Sequence, residues 1–185
     1  MRTIKGGGKL MKKITVKQIL IVSLILNALL MFFSYSQYKD KDSVKRDIII
    51  MYLSNQHNIK DDLSNVLKGK ENRETVINSL TQAKGCFMEN INYLGNANVL
   101  ANQTALAKVE EAYLFNRKGY SIVNQAILSE TNGNLTQQDI CDIEEYLSNV
   151  DSYIKQLNIN FDTAKKGSSR DLVNKIRDSI RKIQY

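Results

Sequence analysis

From Ile19 to Phe33 the chain runs for fifteen residues without a charge, and only Ser23 and Asn27 interrupt it with polarity. Beyond that run, apolar residues recur at steps of three and four in five successive stretches, and no stretch alternates with a period of two. The first pattern predicts a helix surrounded by apolar material, and the rest predict amphipathic helices without a sheet.

The first amphipathic stripe is Val44, Ile48, Met51, Tyr52, Ile59, Leu63, Val66 and Leu67, weakened in its middle by the polar residues Ser54 to Asn58. Ser43 is a candidate N-cap, unless the apolar helix runs straight into it, and Gly69 suits the closing position. The second stripe is Val76, Leu80, Ala83, Phe87, Ile91 and Leu94, with Asn72 as cap and Gly95 as stop. Gly85 inside it predicts the close approach of a neighbouring helix, since an interior glycine costs about 1 kcal/mol relative to alanine. The third extends from about Asn98 to Ser129 through Val99, Leu106, Val109, Tyr113, Tyr120, Val123 and Ile127, with a kink expected at Arg117-Lys118-Gly119 and Asn132-Gly133 as its end. The fourth is Ile140, Ile143, Leu147, Val150, Ile154, Leu157 and Phe161, flanked by Tyr146 and Tyr153, and is expected to continue to Gly167. Thr136 with Asp139 predicts a capping box at its start. A last, short stripe, Leu172, Val173, Ile176, Ile180 and Ile183, follows a serine cap at Ser168 or Ser169.

Short connections favour antiparallel neighbours. The expected fold is therefore all-α: an N-terminal single transmembrane (signal-anchor) helix, an up-and-down four-helix bundle and a short C-terminal amphipathic helix. The boundaries are 1–13 for a basic cytoplasmic tail, 14–35 for the anchor or signal peptide, 36–167 for the bundle and 168–185 for the last helix. Proline is absent where average usage near 5 % would place about nine, which agrees with long uninterrupted helices.

Charge gives the apolar run a direction. Arg2, Lys5, Lys9, Lys12, Lys13 and Lys17 precede it, and no acid does. A basic flank is held in the cytoplasm, so the remainder is expected outside the cell membrane. Ile14 to Tyr35 supplies 22 residues if Lys17 snorkels, against the roughly 20 that a spanning helix needs. The alternative is a signal peptide cleaved after Ser36, with Ser34-Tyr35-Ser36 as the small-residue site; Phe32-Phe33 is more typical of a membrane interface. No cysteine follows the run to carry a lipoprotein anchor. Lys5-Gly6-Gly7-Gly8 reads as a translated ribosome-binding site, with Met11-Lys12-Lys13 as the true start of a bacterial protein rich in Asn, Lys and Ile.

The net charge of +7 does not indicate nucleic acid. Six of the 26 basic residues precede Ser36 and all 19 acids follow it, which leaves the remainder with 20 basic against 19 acidic. A nucleic-acid binder would carry a basic stripe on its folded domain. From Gln37 to Asp162 the balance is 13 basic to 17 acidic, and from Lys165 to Tyr185 it is 7 to 2. The last helix is thus the basic end of a mildly acidic domain. Arg170, Arg177 and Arg181 on one edge of its stripe, with Lys175 and Lys182 on the other, are candidates for contact with an anionic surface. The competing reading packs the same stripe on the bundle core.

Catalytic chemistry has little to work with. His57 is the single histidine and reads as a solvated surface residue, with only Asp61 and Asp62 one turn away. Asp61-Asp62, Glu110-Glu111 and Glu144-Glu145 are sequence neighbours that diverge by about 100° on a helix, so they read as solvated faces and not as shared-proton dyads. No di-iron, zincin, phosphate-loop or dinucleotide motif occurs. Cys86 and Cys141 fall at levels about 14 Å apart on parallel helices, too far for a disulfide, and read as buried free thiols.

One anchor followed by an exported helical bundle is similar, in architecture alone, to the ligand-binding domains of bacterial chemoreceptors. The second membrane helix and cytoplasmic signalling region of those proteins have no counterpart here, so the resemblance implies no transduction. The expected function is non-catalytic protein–protein interaction at the bacterial envelope, with a membrane and an envelope protein or a second copy as partners, and no nucleic acid, cofactor or metal. The alternative is a secreted effector or sensor-like small-ligand bundle whose pocket would be lined by Tyr113, Tyr120, Tyr146 or Tyr153.

Overall fold

The computed structural model describes residues 16–69, 71–95 and 103–183. Those residues form six helices and no strand: α1 (Val16–Lys68), α2 (Arg73–Gly95), α3 (Gln103–Asn132), α4 (Gln137–Leu157), α5 (Phe161–Lys166) and α6 (Ser169–Ile180). The chain divides into two compact units, Met1–Lys41 and Asp42–Tyr185, so that α1 belongs in part to each.

In the first unit, every described side chain from Leu20 to Tyr35 is exposed. Leu24, Met31 and Phe32 keep 71 %, 74 % and 67 % of their surface open. Among the described residues no helix is long and apolar enough to cross a membrane. The expected span at 14–35 is only partly covered, because residues 14 and 15, and the side chains at 16–19 and 22, lie outside the described residues. What is described begins at Leu20, contains Ser23 and Asn27, and turns polar from Ser36, which leaves it short of the roughly 20 apolar residues a span requires. The cytoplasmic tail expected over 1–13 also lies outside the described residues.

The second unit is a four-helix bundle. Ascending residues on α2 meet descending residues on α3, and the same holds for α1 with α4, which makes these two pairs antiparallel. Arg73, Lys84 and Asn90 of α2 reach Glu130, Asn124 and Asn116 of α3. Tyr52 and Lys60 of α1 reach Tyr153 and Asp151 of α4. One core joins the helices, centred on Tyr52, Leu63, Leu80, Phe87, Phe115, Ile143, Tyr146 and Tyr153.

Local signals place the helix ends as expected. Asn72 Oδ1 accepts from the Thr75 amide at the start of α2. Thr136 and Asp139 close a capping box on α4, and Ser168 caps α6 by accepting from the Asp171 amide. Three details differ. The polar stretch Ser54–Asn58 leaves α1 unbroken, because Asn55 and Gln56 are taken into the interior. The fourth helix stops at Leu157, where Asn158 adopts a left-handed conformation (φ 42°) that asparagine tolerates well. Its buried face is Ile143, Tyr146, Val150, Tyr153 and Leu157, so the two tyrosines lie at the centre of the seam and not on its flanks, while Phe161 is exposed. The start of the third stripe, with Val99 and Leu106, lies outside the described side chains.

Neither central glycine has the role expected of it. Gly85 has nothing within 4 Å of where a Cβ would stand, so no helix approaches it. Gly119 is buried within an unbroken α3, and a Cβ there would come to 2.5 Å from the Phe87 and Tyr146 rings. Its missing side chain makes room for Phe87 to meet Tyr146 edge-on, centroids 5.6 Å apart, across the bundle. Ring sterics, not a kink, place glycine there.

Helix α6 is part of the bundle unit. Leu172, Val173, Ile176, Ile180 and Ile183 are all buried in its core. Ser169 donates its backbone N–H and its hydroxyl to Asp42, Arg46 donates to the Gly167 carbonyl, and Arg181 donates to both carboxylate oxygens of Glu111.

Candidate functional site: a polar core beside a groove

The centre of the bundle is hydrogen-bonded as well as apolar. Asn90 sits three residues after Phe87 and four before Leu94, and Asn116 sits four after Ala112, so helical periodicity turns both amides inward. Asn116 Oδ1 accepts from Gln56 Nε2 at 2.9 Å and from Asn90 Nδ2 at 3.1 Å. Asn116 Nδ2 donates to the Ala112 carbonyl at 2.7 Å and reaches the Tyr52 hydroxyl at 3.5 Å, which lies 3.0 Å from the Tyr153 hydroxyl. Asn55 extends the chain outward by donating to Asn90 Oδ1 and to Glu89. Burial and the neighbouring Tyr52 hydroxyl push the Tyr153 phenol well above its ordinary range, so it stays protonated.

One position in this network is unfilled. Gln56 is completely buried, and its Oε1 is the one enclosed side-chain oxygen or nitrogen without a hydrogen-bond partner among the described residues. An unmatched buried acceptor costs about 1–3 kcal/mol. Gln56 also lines a groove of about 530 Å³ between α1 and the turn that joins α4 to α5. The apolar lining is Leu53, Ile154, Leu157, Ile159 and Phe161, and His57, Lys155, Asn158 and Asn160 complete it. The His57 ring stands 5.7 Å from the Phe161 ring. Lys155 shares the single carboxylate of Asp151 with Lys60.

On α6, Arg170, Lys175 and Lys182 are exposed, Arg177 pairs with Asp178, and Arg181 pairs with Glu111. The apolar stripe that would have rested on an anionic membrane is occupied inside the bundle. Of the tyrosines expected to line a ligand pocket, Tyr146 and Tyr153 fill the core, while Tyr113 and Tyr120 lie under Arg117 and Lys84.

The acidic pairs divide as helical geometry requires. Asp61 is exposed, but Asp62 is 9 % exposed and is not part of a solvated face. Burial, and then the adjacent Asp61 charge, raise its carboxyl to about 6. Glu111 is engaged by Arg181, and Glu144 and Glu145 are exposed. Cys86 and Cys141 are both free, but Cys141 is exposed, one position past the buried face of α4, and not buried as expected. Burial, with Asp62 and Glu89 nearby, raises the Cys86 thiol and holds it in the unreactive protonated form. Among the described residues no three His, Cys, Asp or Glu side chains gather where they could hold a metal ion.

No family model, no curated protein and no solved structure matches the chain.

The network was missed because asparagine and glutamine were read as interruptions of apolar stripes. Their positions carried the signal: Gln56 lies four residues after Tyr52 and three before Ile59, within the stripe itself.

Proposed function

We propose that this protein is a non-catalytic helical-bundle protein of the bacterial envelope, tethered by residues 14–35 with its N-terminus in the cytoplasm, whose bundle binds another envelope protein or a second copy of itself. The observation that carries this reading is the run Leu20–Tyr35, exposed around the whole circumference of its helix. A helix that is apolar on every side is stable only where something apolar surrounds it. At roughly 25 cal/mol per Å², the open leucines, isoleucines and phenylalanines make transfer into hydrocarbon strongly favourable. The basic flank before the run supplies the orientation. On either side of the buried stripe of α6, Arg170 on one edge and Lys175 and Lys182 on the other remain exposed to an anionic partner.

Fractionation of a C-terminally tagged protein, with external protease added to intact spheroplasts, tests this. Full-length protein in the membrane, with its bundle digested, is the expected result. A protease-protected bundle would overturn it.

The groove beside Gln56 favours a second reading, a sensor-like small-ligand bundle released after Ser36. A product that begins at Gln37 and leaves the membrane would select it.

A further inference from the structure

We infer that the apolar stretch of α1 pairs with the same stretch of a second copy of this chain, in parallel and inside the membrane, through the face that carries Leu20, Ser23, Asn27, Leu30 and Ser34. This rests on the tether reading and adds to it a partner for the tether itself.

Between Leu20 and Ser34 the polar side chains are Ser23, Asn27 and Ser34, and every other position is Leu, Ile, Val, Ala, Met or Phe. Helix α1 is unbroken from Val16 to Lys68, so helical geometry fixes where the three stand. At about 100° per residue, steps of four and seven place them within about 40° of one another. All three side chains are exposed, and among the described residues no hydrogen bond reaches the Asn27 amide.

Polarity gathered on one side of a helix has a consequence in hydrocarbon. An amide there has no water to satisfy it, so it takes a group from a neighbouring helix. A carboxamide both donates and accepts, so two copies of Asn27 satisfy each other across a two-fold axis. A second copy brings its amide to the same depth and in the same direction, because the same basic flank orients both. An unlike helix meets that condition only by coincidence.

The spacing agrees. From Leu20 the face runs by steps of three, four, three and four to Ser34, the repeat of two helices packed side by side. With Leu20 at the first core position of the repeat, Asn27 takes the next equivalent one, where a single asparagine sets register and the number of strands. Ser23 and Ser34 are small enough to let the two backbones approach. Pairing also removes the polar interruptions from lipid: with this face covered, the open sides of the stretch are wholly apolar.

The experiment uses the full-length protein. In membranes of a bacterial host, on a Cys86→Ser, Cys141→Ser background, copper phenanthroline should cross-link copies through Leu20→Cys, Ser23→Cys, Leu30→Cys and Ser34→Cys. It should join few through Ile25→Cys, Leu29→Cys and Phe32→Cys, which stand about 140–160° away from Asn27. The unaltered chain should sediment as a dimer in dodecyl maltoside. Asn27→Leu makes the run more apolar and so preserves insertion, yet it should weaken association about three- to thirtyfold, the effect of interhelical hydrogen bonding. Asn27→Gln should restore most of that loss. Membrane-resident protein that stays monomeric, cross-linking without a preferred face, or association that Asn27→Leu leaves unchanged would overturn the pairing and leave the tether untouched. Protein absent from the membrane fraction would overturn both.

Discussion

The first unit of this protein holds leucine, isoleucine and phenylalanine side chains in the open, while the centre of the second encloses three asparagines, a glutamine and three tyrosine hydroxyls. Each region reverses the usual placement, and the reasons differ. At Leu20–Tyr35 the described apolar side chains are exposed, so their stability depends on what surrounds the chain. In the bundle, Asn55, Asn90, Asn116 and Gln56 satisfy one another almost completely, so burial costs little and fixes which helix faces meet. Hydrophobicity alone therefore predicts neither region. The available partners decide.

The sharpest test of that contrast is Gly119→Ala. The added methyl collides with Phe87 and Tyr146, and the bundle has no space to yield. We expect a loss of about 3 kcal/mol, or roughly 6–12 °C in Tm. Leu26→Ala removes more apolar volume from the first unit, yet calorimetry should find the unfolding of the bundle unchanged. A similar loss from both would mean that the two regions unfold as one.

Asn116→Leu is the next largest effect. It retains volume but deprives Gln56 Nε2 and Asn90 Nδ2 of their shared acceptor, for about 2 kcal/mol in urea unfolding. A stabilised variant would show that an apolar core serves this bundle equally well and that the network has another purpose.

Asp62→Asn acts in the opposite direction. The folded carboxyl titrates near 6, above its ordinary 3.8. The folded state therefore holds a proton that the unfolded state releases, so this contribution is complete below about pH 4 and is lost as pH rises through 6. At pH 7 the variant should be more stable by about 1 kcal/mol, after allowance for solvent screening near the rim. The gain should vanish below pH 4. Asp139 and Asp151, both lowered by their hydrogen bonds, work the other way and cancel in the difference between variant and parent.

The smallest effect is at Gly85, where a methyl meets open space. Gly85→Ala should stabilise the bundle by somewhat less than about 1 kcal/mol. A destabilised variant would mean that α2 contacts another molecule at that point.

Elements and end signals were legible because they depend on local chemistry: the Thr136–Asp139 box, the Ser168 cap and the Asn72 cap act within four residues. The break at Asn158 was hidden because the apolar period continued to Phe161 beyond it. Of the candidate site, His57 stands out in the sequence as its single histidine, whereas Gln56 does not, because only the packing of α2 and α3 leaves its amide half satisfied. The basic flank of α6 was legible, but the fate of the stripe beside it was not.

The sequence by itself determined an all-helical chain, the extent of most helices, the uncharged run near its start and the concentration of basic charge at both ends. Those properties follow from composition and from contacts between near neighbours. Tertiary structure alone decided that α6 belongs to the bundle, that Gly119 and not Gly85 carries a close approach, that Asp62 is enclosed, and that the side-chain oxygen of Gln56 is enclosed without a partner. Each of these depends on side chains from helices far apart in sequence, and periodicity within one helix carries no record of what the others bring to meet it.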